Sequence, residues 1–348
     1  MTWLPLLLAD PSPCLRYLVL RDLFHRPGDD AELLELLPQR EADPLLRELL
    51  SLQAADGSWP AGALAIGRAG GSRTLMTALA LTRLGYLGFE GSFAPVQGAA
   101  EFLFSQQQAD GGWPLSEEAA LTDGVSEMPA RERYTMIPLQ TAFPLRGLAM
   151  CGYANDPRAE RAYEWLLAQR LPDGAWPTGL AAGGVFGFVG GYRRLPHSRW
   201  GCRSNTTAAL LCLAQHPERR LSEAARRGLD HLLGRETREA YALGHEAARM
   251  VGAEKPRGFF TYFARFDLGV VLDLCGRVGV SKEDGRVADL LAFLRSLQNE
   301  YGLWEYAGQP QVSRWLTFDL LRSIERLEAG DWMGMEPRTP FRAYPKVR

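Results

Sequence analysis

Two kinds of helical stretch alternate along this chain. One kind is apolar on a single face. LLRELLSLQ, RAERAYEWLLAQ, AARRGLDHLL and RVADLLAFLRSLQ space leucine and alanine three and four residues apart and set charges between them. That spacing predicts amphipathic helices over 43–54, 98–109, 157–169, 222–234 and 284–298, each with one stripe buried and one face in water. Their starts carry caps. Asp43-Pro44 and Asp156-Pro157 pair a side-chain acceptor with proline at the first helical position, and Ser222 heads another. The second kind is small and apolar on nearly every face, as in SRTLMTALALTRLG, CRSNTTAALLCLA and FARFDLGVVLDLCGRVG. These segments, at 13–26, 73–87, 134–153, 203–216, 260–277 and 312–328, predict helices buried on most sides. Alternating outer and inner helices can close into a ring. The expected fold is all-α, one α/α toroid over 1–348, with six inner and five to six outer helices around an axial cavity. No period-two run of β-branched residues is long enough to argue for a sheet.

A phrase recurs where outer stretches end. It reads Gln53-Ala-Ala-Asp-Gly57-Ser-Trp59, Gln107-Gln-Ala-Asp-Gly111-Gly-Trp113, Gln169-Arg-Leu-Pro-Asp-Gly174-Ala-Trp176 and Gln298-Asn-Glu-Tyr-Gly302-Leu-Trp304. Such recurrence marks a repeat architecture. Its residues suit a staple between repeats. Glycine takes the left-handed conformation that ends a helix, the glutamine amide caps backbone groups the turn leaves unpaired, and the tryptophan ring covers them. Three connections are too long for simple turns: 114–133, 177–202 and 235–258. The second is rich in glycine and aromatics, and reads either as a lid over a ring opening or as a plain insertion.

Composition narrows the classes. A net charge of -2 with acids and bases evenly spread lacks the clustered basic excess of a nucleic-acid binder. Five scattered cysteines without a CxxC pair indicate neither a disulfide framework nor a zinc ribbon. No segment has the uninterrupted apolar length of a membrane span, and MTWLPLLLADPSP lacks a signal peptide's basic start. The expectation is a cytoplasmic protein with no integral membrane segment.

Gln-x-x-x-Gly-x-Trp at the outer-to-inner junction of a helical ring resembles the QW repeat of squalene and oxidosqualene cyclases. Related toroids are the protein prenyltransferase β subunits and the class II diterpene cyclases. The resemblance covers nearly the whole chain. It implies a small apolar, isoprenoid-like substrate in the ring, cyclised or rearranged by acid or carbocation chemistry, the work of an isomerase or lyase. Two features depart from the pattern. The cyclases' Asp-x-Asp-Asp acid is absent, Glu117-Glu118 being the nearest acidic run. The prenyltransferase zinc motif Asp-x-Cys appears as Trp200-Gly201-Cys202, and the last inner segment, opening Ser313-Arg314-Trp315, offers no histidine. A lone thiolate makes no zinc site, so no metal is expected, and magnesium enters only with a diphosphate substrate.

Candidate chemistry lies on the inner segments. Arg16, Arg73, Arg133, Arg203 and Arg314 fall near their starts, three of them in Ser72-Arg73-x-x-x-Thr77, Cys202-Arg203-x-x-x-Thr207 and Ser313-Arg314-x-x-Thr317. In a closed ring they share one rim, where they either bind an anionic head group or pair with the staples. Asp267 and Asp319 sit in apolar surroundings. Burial raises a carboxyl there and fits it for general-acid work, Asp267 first and Asp319 second, unless each is ion-paired, Asp319 with Arg322. Tyr262, Phe266 and Trp315 are candidate pocket lining. The histidines form no cluster. Two other classes remain open: a toroid that binds a lipid or isoprenoid without chemistry, and a carbohydrate-active α/α barrel, which needs paired carboxylates in a groove.

Overall fold

The computed structural model describes residues 3–64, 72–113, 138–179, 189, 194, 195, 197–234, 241–255 and 266–334. Numbered in chain order, the inner helices are α2 (Pro13–Asp22), α5 (Arg73–Tyr86), α7 (Pro138–Leu148), α9 (Arg203–Leu213), α12 (Leu268–Val278) and α14 (Pro310–Leu327). The outer ones are α3 (Ala31–Glu41), α4 (Pro44–Leu50), α6 (Ala94–Ser105), α8 (Pro157–Ala168), α10 (Glu223–Leu233) and α13 (Gly285–Ser296). Two short helices complete the set, α1 (Leu4–Leu8) and α11 (His245–Met250). The architecture is an all-α, α/α toroid. The caps act as the sequence suggests. Asp43, Asp156 and Ser222 accept from the amides of Leu45, Arg158 and Ala225 at 2.9, 2.8 and 3.3 Å.

Apolar content all round buries the inner helices. Every residue of α9 is buried, as is every residue of α5 from Leu75 to Leu84. Inner helices approach closely where glycine leaves room. A Cβ on Gly147 of α7 would meet the Ala78 carbonyl of α5 at 2.9 Å, and one on Gly276 of α12 the Ser323 carbonyl of α14 at 3.0 Å. The ring closes through charges, with Arg314 of α14 on Asp10 at 3.1 Å and Arg322 on Asp22 of α2 at 3.2 Å.

The repeated phrase is a four-part staple. Its glycines 57, 111, 174 and 302 have φ of 82, 97, 100 and 78°, which only glycine adopts without strain. Each tryptophan indole donates to the carbonyl ten residues earlier (Leu49, Leu103, Leu166 and Leu294, at 2.6–2.9 Å). Each tryptophan amide donates to a threonine Oγ1 of the following inner helix: Thr77, Thr141, Thr206 and Thr317, at 3.0–3.1 Å. Gln53 reaches the Pro95 carbonyl at 2.9 Å and Gln107 that of Arg158 at 3.0 Å, tying each turn to the first turn of the next outer helix. The third copy differs. Its turn bonds Leu171 to Ala175 as the first bonds Ala54 to Ser58, so Arg170 and not Gln169 stands where Gln53 does.

Two expectations are corrected. Asp267 is not mid-helix, because α12 starts at Leu268 with Asp267 as its N-cap. It follows a two-residue parallel pairing of Tyr241–Ala242 (β1) with Phe266–Asp267 (β2). The connection 235–258, read as a long loop, carries a helix where it is described. Its helix α11 enters the ring and touches three inner helices. Glu246 bonds Arg146 of α7 at 2.5 Å, Arg83 of α5 donates to the Met250 carbonyl at 2.9 Å, and Gly244 lies against Leu316 of α14. Buried charge tolerates this place because it is paired, with Arg249 completing the Glu246 cluster at 2.7 Å. About half of the proposed lid at 177–202 falls outside the described residues. Among those described, no helix is long and apolar enough to cross a membrane.

Candidate active site in the axial cavity

The inner helices run parallel, so their C-terminal ends meet at one end of the ring. There a cavity of about 520 Å³ opens, walled by Arg21 and Asp22 of α2, Tyr86 of α5, Met150 beyond α7, Gln215 beyond α9, Arg277 of α12, and Arg322 and Arg326 of α14. A narrower extension of about 60 Å³ continues inward past Asp319, Asp273 and Asp267 to α11. There α11 plugs the ring, with Glu246 and Ala247 lining the extension beside Asp267 and Gly269 at the start of α12.

The wall is a chain of ion pairs. Asp22 takes Arg21 at 2.5 Å and Arg322 at 3.2 Å. Asp273 takes Arg277 at 2.7 Å and Arg326 at 2.5 Å. Asp319 takes Arg322 at 3.2 Å and the Tyr86 hydroxyl at 2.7 Å. These partners set the protonation states. Burial opposes ionisation of Asp273, but Arg277, Arg326 and Arg322 outweigh it and hold the carboxyl well below the usual range. For Asp319 burial wins, and the carboxyl rises to about 6 against the pull of Arg322 and Tyr86. Burial, with Arg277 and Arg322 alongside, lowers Arg326 to about 10. Asp319 is therefore the wall's carboxyl that gains and loses its proton near neutrality.

The structure disperses the other candidates. Asp267 accepts the amides of Gly244, Glu246 and Gly269 at 3.3, 2.8 and 3.0 Å, capping α11 and α12 together. Burial still raises its carboxyl, with the backbone amide of Glu246 the first group to oppose it. The start-of-helix arginines lie away from the chamber. Arg73 bonds Asp56 and Ser58 of the first staple. Arg314 bonds Asp10, Arg16 bonds Gln39 at 3.4 Å, and Arg203 is buried at the start of α9. Trp315 is fully buried in the core, 5.2 Å from the Tyr86 ring and 6.4 Å from Phe318, and does not line the chamber. Phe266 is described only by its backbone in β2. Tyr262 and Arg133 lie outside the described residues. Among the described residues the cavity wall is charged rather than apolar and aromatic. Sequence reading named Asp319 and Arg322 but missed Tyr86, Asp273, Arg277 and Arg326. Their signal was present as arginines in the last turns of inner segments, in DLCGR and LLRSIER, where cations suit the negative helix end.

Residues 37–193 match the squalene-hopene cyclase C-terminal domain. A squalene-hopene cyclase from Zymomonas mobilis is 29% identical over 138 residues, which are 40% of this chain and 20% of that enzyme. The chain fits the squalene cyclase and prenyltransferase superfamily. The match to this cyclase relative covers about a fifth of its length. Among solved structures, an Actinoplanes protein shares 15% identity, covering 82% of this chain and 97% of that one, at a TM-score of 0.33. The type II terpene cyclase MstE from Scytonema shares 13% over 82% of this chain and 96% of its own, also at 0.33. In its complex with geranylgeranyl dihydroxybenzoate MstE gives 15%, 82%, 95% and 0.34. Scores this low carry no argument. Among the described residues no three His, Cys, Asp or Glu side chains gather as metal ligands, and the wall carboxylates are bonded to arginine. They do not fit a protein-held magnesium ion.

Proposed function

We propose that the axial chamber binds an isoprenoid-like substrate and cyclises or rearranges it by proton transfer, with Asp319 as the acid. One observation carries the reading: a carboxyl raised to about 6 on the wall of the narrow 60 Å³ extension, 2.7 Å from the hydroxyl of Tyr86, a residue that also lines the 520 Å³ cavity. A cavity of this size suits a ligand of drug-like dimensions. The protonated carboxyl would give its proton to an alkene carbon. Tyr86 and Arg322 then hold the carboxylate left behind, and a C–H proton of the resulting cation returns to it. Asp267, engaged by three backbone amides, would serve as a cap. Magnesium would enter only with a diphosphate substrate.

A second reading, a toroid that binds without chemistry, draws on the Asp319–Arg322 ion pair at 3.2 Å, which favours the ionised carboxyl. The carbohydrate reading loses ground because Trp59, Trp113, Trp176, Trp304 and Trp315 are buried in staples or core rather than set along a groove. Mass spectrometry of products decides between the first two. The protein is incubated with squalene and with prenyl diphosphates of increasing length, beside Asp319→Asn and Asp267→Asn. A product lost with Asp319→Asn and kept with a folded Asp267→Asn supports the proposal. Intact ligand recovered from the protein with no product on any substrate favours the binding toroid.

A further inference from the structure

The chamber's hydrogen bonding is unbalanced. Both oxygens of Asp22, Asp273 and Asp319 are engaged, by Arg21, Arg322, Arg277, Arg326 and Tyr86. A guanidinium carries five N–H groups, yet among the described residues none of these four arginines commits more than two. Arg326 commits one, to Asp273. Gln215 uses its carbonyl oxygen, on Arg277 at 3.1 Å, and leaves its amide N–H groups over. Each oxygen of the three carboxylates thus already accepts at least one bond, while most N–H groups of the four guanidiniums remain over.

Around Asp273 the balance is positive, with the guanidiniums of Arg277, Arg326 and Arg322 about one carboxylate. The lining also holds Asp22, Asp319, Glu90 and Glu325, and Glu325 is bonded to His25 at 2.5 Å. The inner helices also turn their negative ends here, which is the field that Arg21, Arg277 and Arg326 offset from their last turns.

We propose that this chamber is an oxyanion site for a phosphate-class group, held by Arg277 and Arg326 with the Gln215 amide. Planar guanidinium forks match phosphate oxygens two at a time. Arg277 and Arg326 share Asp273 and come from adjacent helices, so the pair is held ready with its remaining N–H groups unspent. The site rests on the same chamber as the function proposed above, and it adds that the substrate's polar head lies at the inner-helix C-terminal ends, away from Arg73 and Arg314. The group belongs either to a prenyl diphosphate or to a free phosphate.

Isothermal titration calorimetry of the full chain tests this without turnover, using inorganic pyrophosphate, geranyl diphosphate, geraniol and sulfate. Saturable pyrophosphate binding is expected, weakened about tenfold or more by Arg326→Gln or Arg277→Gln. Arg295→Gln, at an exposed position of outer helix α13, should bind as the parent does. Gln215→Leu provides a second variant that removes no charge, should an arginine variant fail to fold. Geranyl diphosphate binding more tightly than pyrophosphate assigns the site to a lipid head group, and the reverse order to a free phosphate. No saturable binding of either, or binding equal for sulfate and indifferent to the wall variants, overturns the proposal. Pyrophosphate bound with no product from any isoprenoid leaves the site standing and sinks the acid chemistry alone.

Discussion

Thr206 and Thr207 are adjacent on α9 and both are buried, yet the structure gives them unequal work. The Thr206 hydroxyl accepts the Trp176 amide at 3.0 Å. The Thr207 hydroxyl makes no hydrogen bond among the described residues. Valine keeps the shape of threonine and removes the oxygen. At 206 it leaves the amide of a wholly buried residue without an acceptor, which costs about 1–3 kcal/mol. At 207 it exchanges an unbonded hydroxyl for a methyl group, a neutral or slightly stabilising change. With an unfolding entropy of about 2.1 cal/mol/K per residue, a chain of 348 residues converts the loss at 206 into roughly 1.5–4 °C of Tm. Thermal melts followed by circular dichroism, run side by side, read the difference directly. The repeated sequence pattern singles out Thr207 by its spacing from Arg203, so the pair also separates pattern from geometry. Equal melting of the two variants, or a larger loss at 207, would refute the staple as described.

Other perturbations test other parts of the molecule. Asp319 has a folded value of about 6 against 3.8 for the free side chain, so the folded state holds this proton more tightly. Its stabilising contribution is complete below the unfolded value and lost as pH rises through about 6. Relative to Asp319→Asn, the parent should lose up to about 3 kcal/mol between pH 4 and 7 in urea unfolding; a gap constant with pH contradicts the assignment. Glu246→Gln removes the carboxylate that both Arg146 and Arg249 bond. A loss of about 3–5 kcal/mol is expected, and a loss under 1 would show that the plug is not anchored there. Gly111→Ala combines a φ of 97° with a Cβ 2.4 Å from the Arg161 carbonyl, whereas Gly152→Ala, with φ of 92°, meets nothing within 4 Å. The second should cost about 1 kcal/mol and the first clearly more; equal chemical-denaturation midpoints would exclude the close approach.

The toroid was legible in the chain because its causes are local. Apolar spacing sets the buried stripe of each outer helix, uniform apolarity buries the inner ones, and a turn needing positive φ repeats with its glycine. Even the staple's chemistry was partly readable, since Gln53 and Gln107 cap as their amides suggest. Position within a turn was less secure. An extra residue in the third copy moved Gln169 out of register and left Arg170 in its place. Asp267 looked buried mid-helix because the residues around it are apolar, and only the folded chain shows it capping two helices that begin beside it.

The chamber was decided by tertiary structure. Tyr86 meets Asp319 across 233 residues of sequence, and Asp22 meets Arg322 across 300. Periodicity tells which face of a helix is buried, but not which charges face one another once a ring closes. Nor does it tell that residues 245–250 turn inward and fill the ring with Glu246 between two arginines. The sequence by itself determined helices, staples and their alternation, because those depend on residues a few positions apart. Ring closure decided which helix end holds the cavity and which carboxyl keeps its proton, because both depend on burial and on charges brought together from distant parts of the chain.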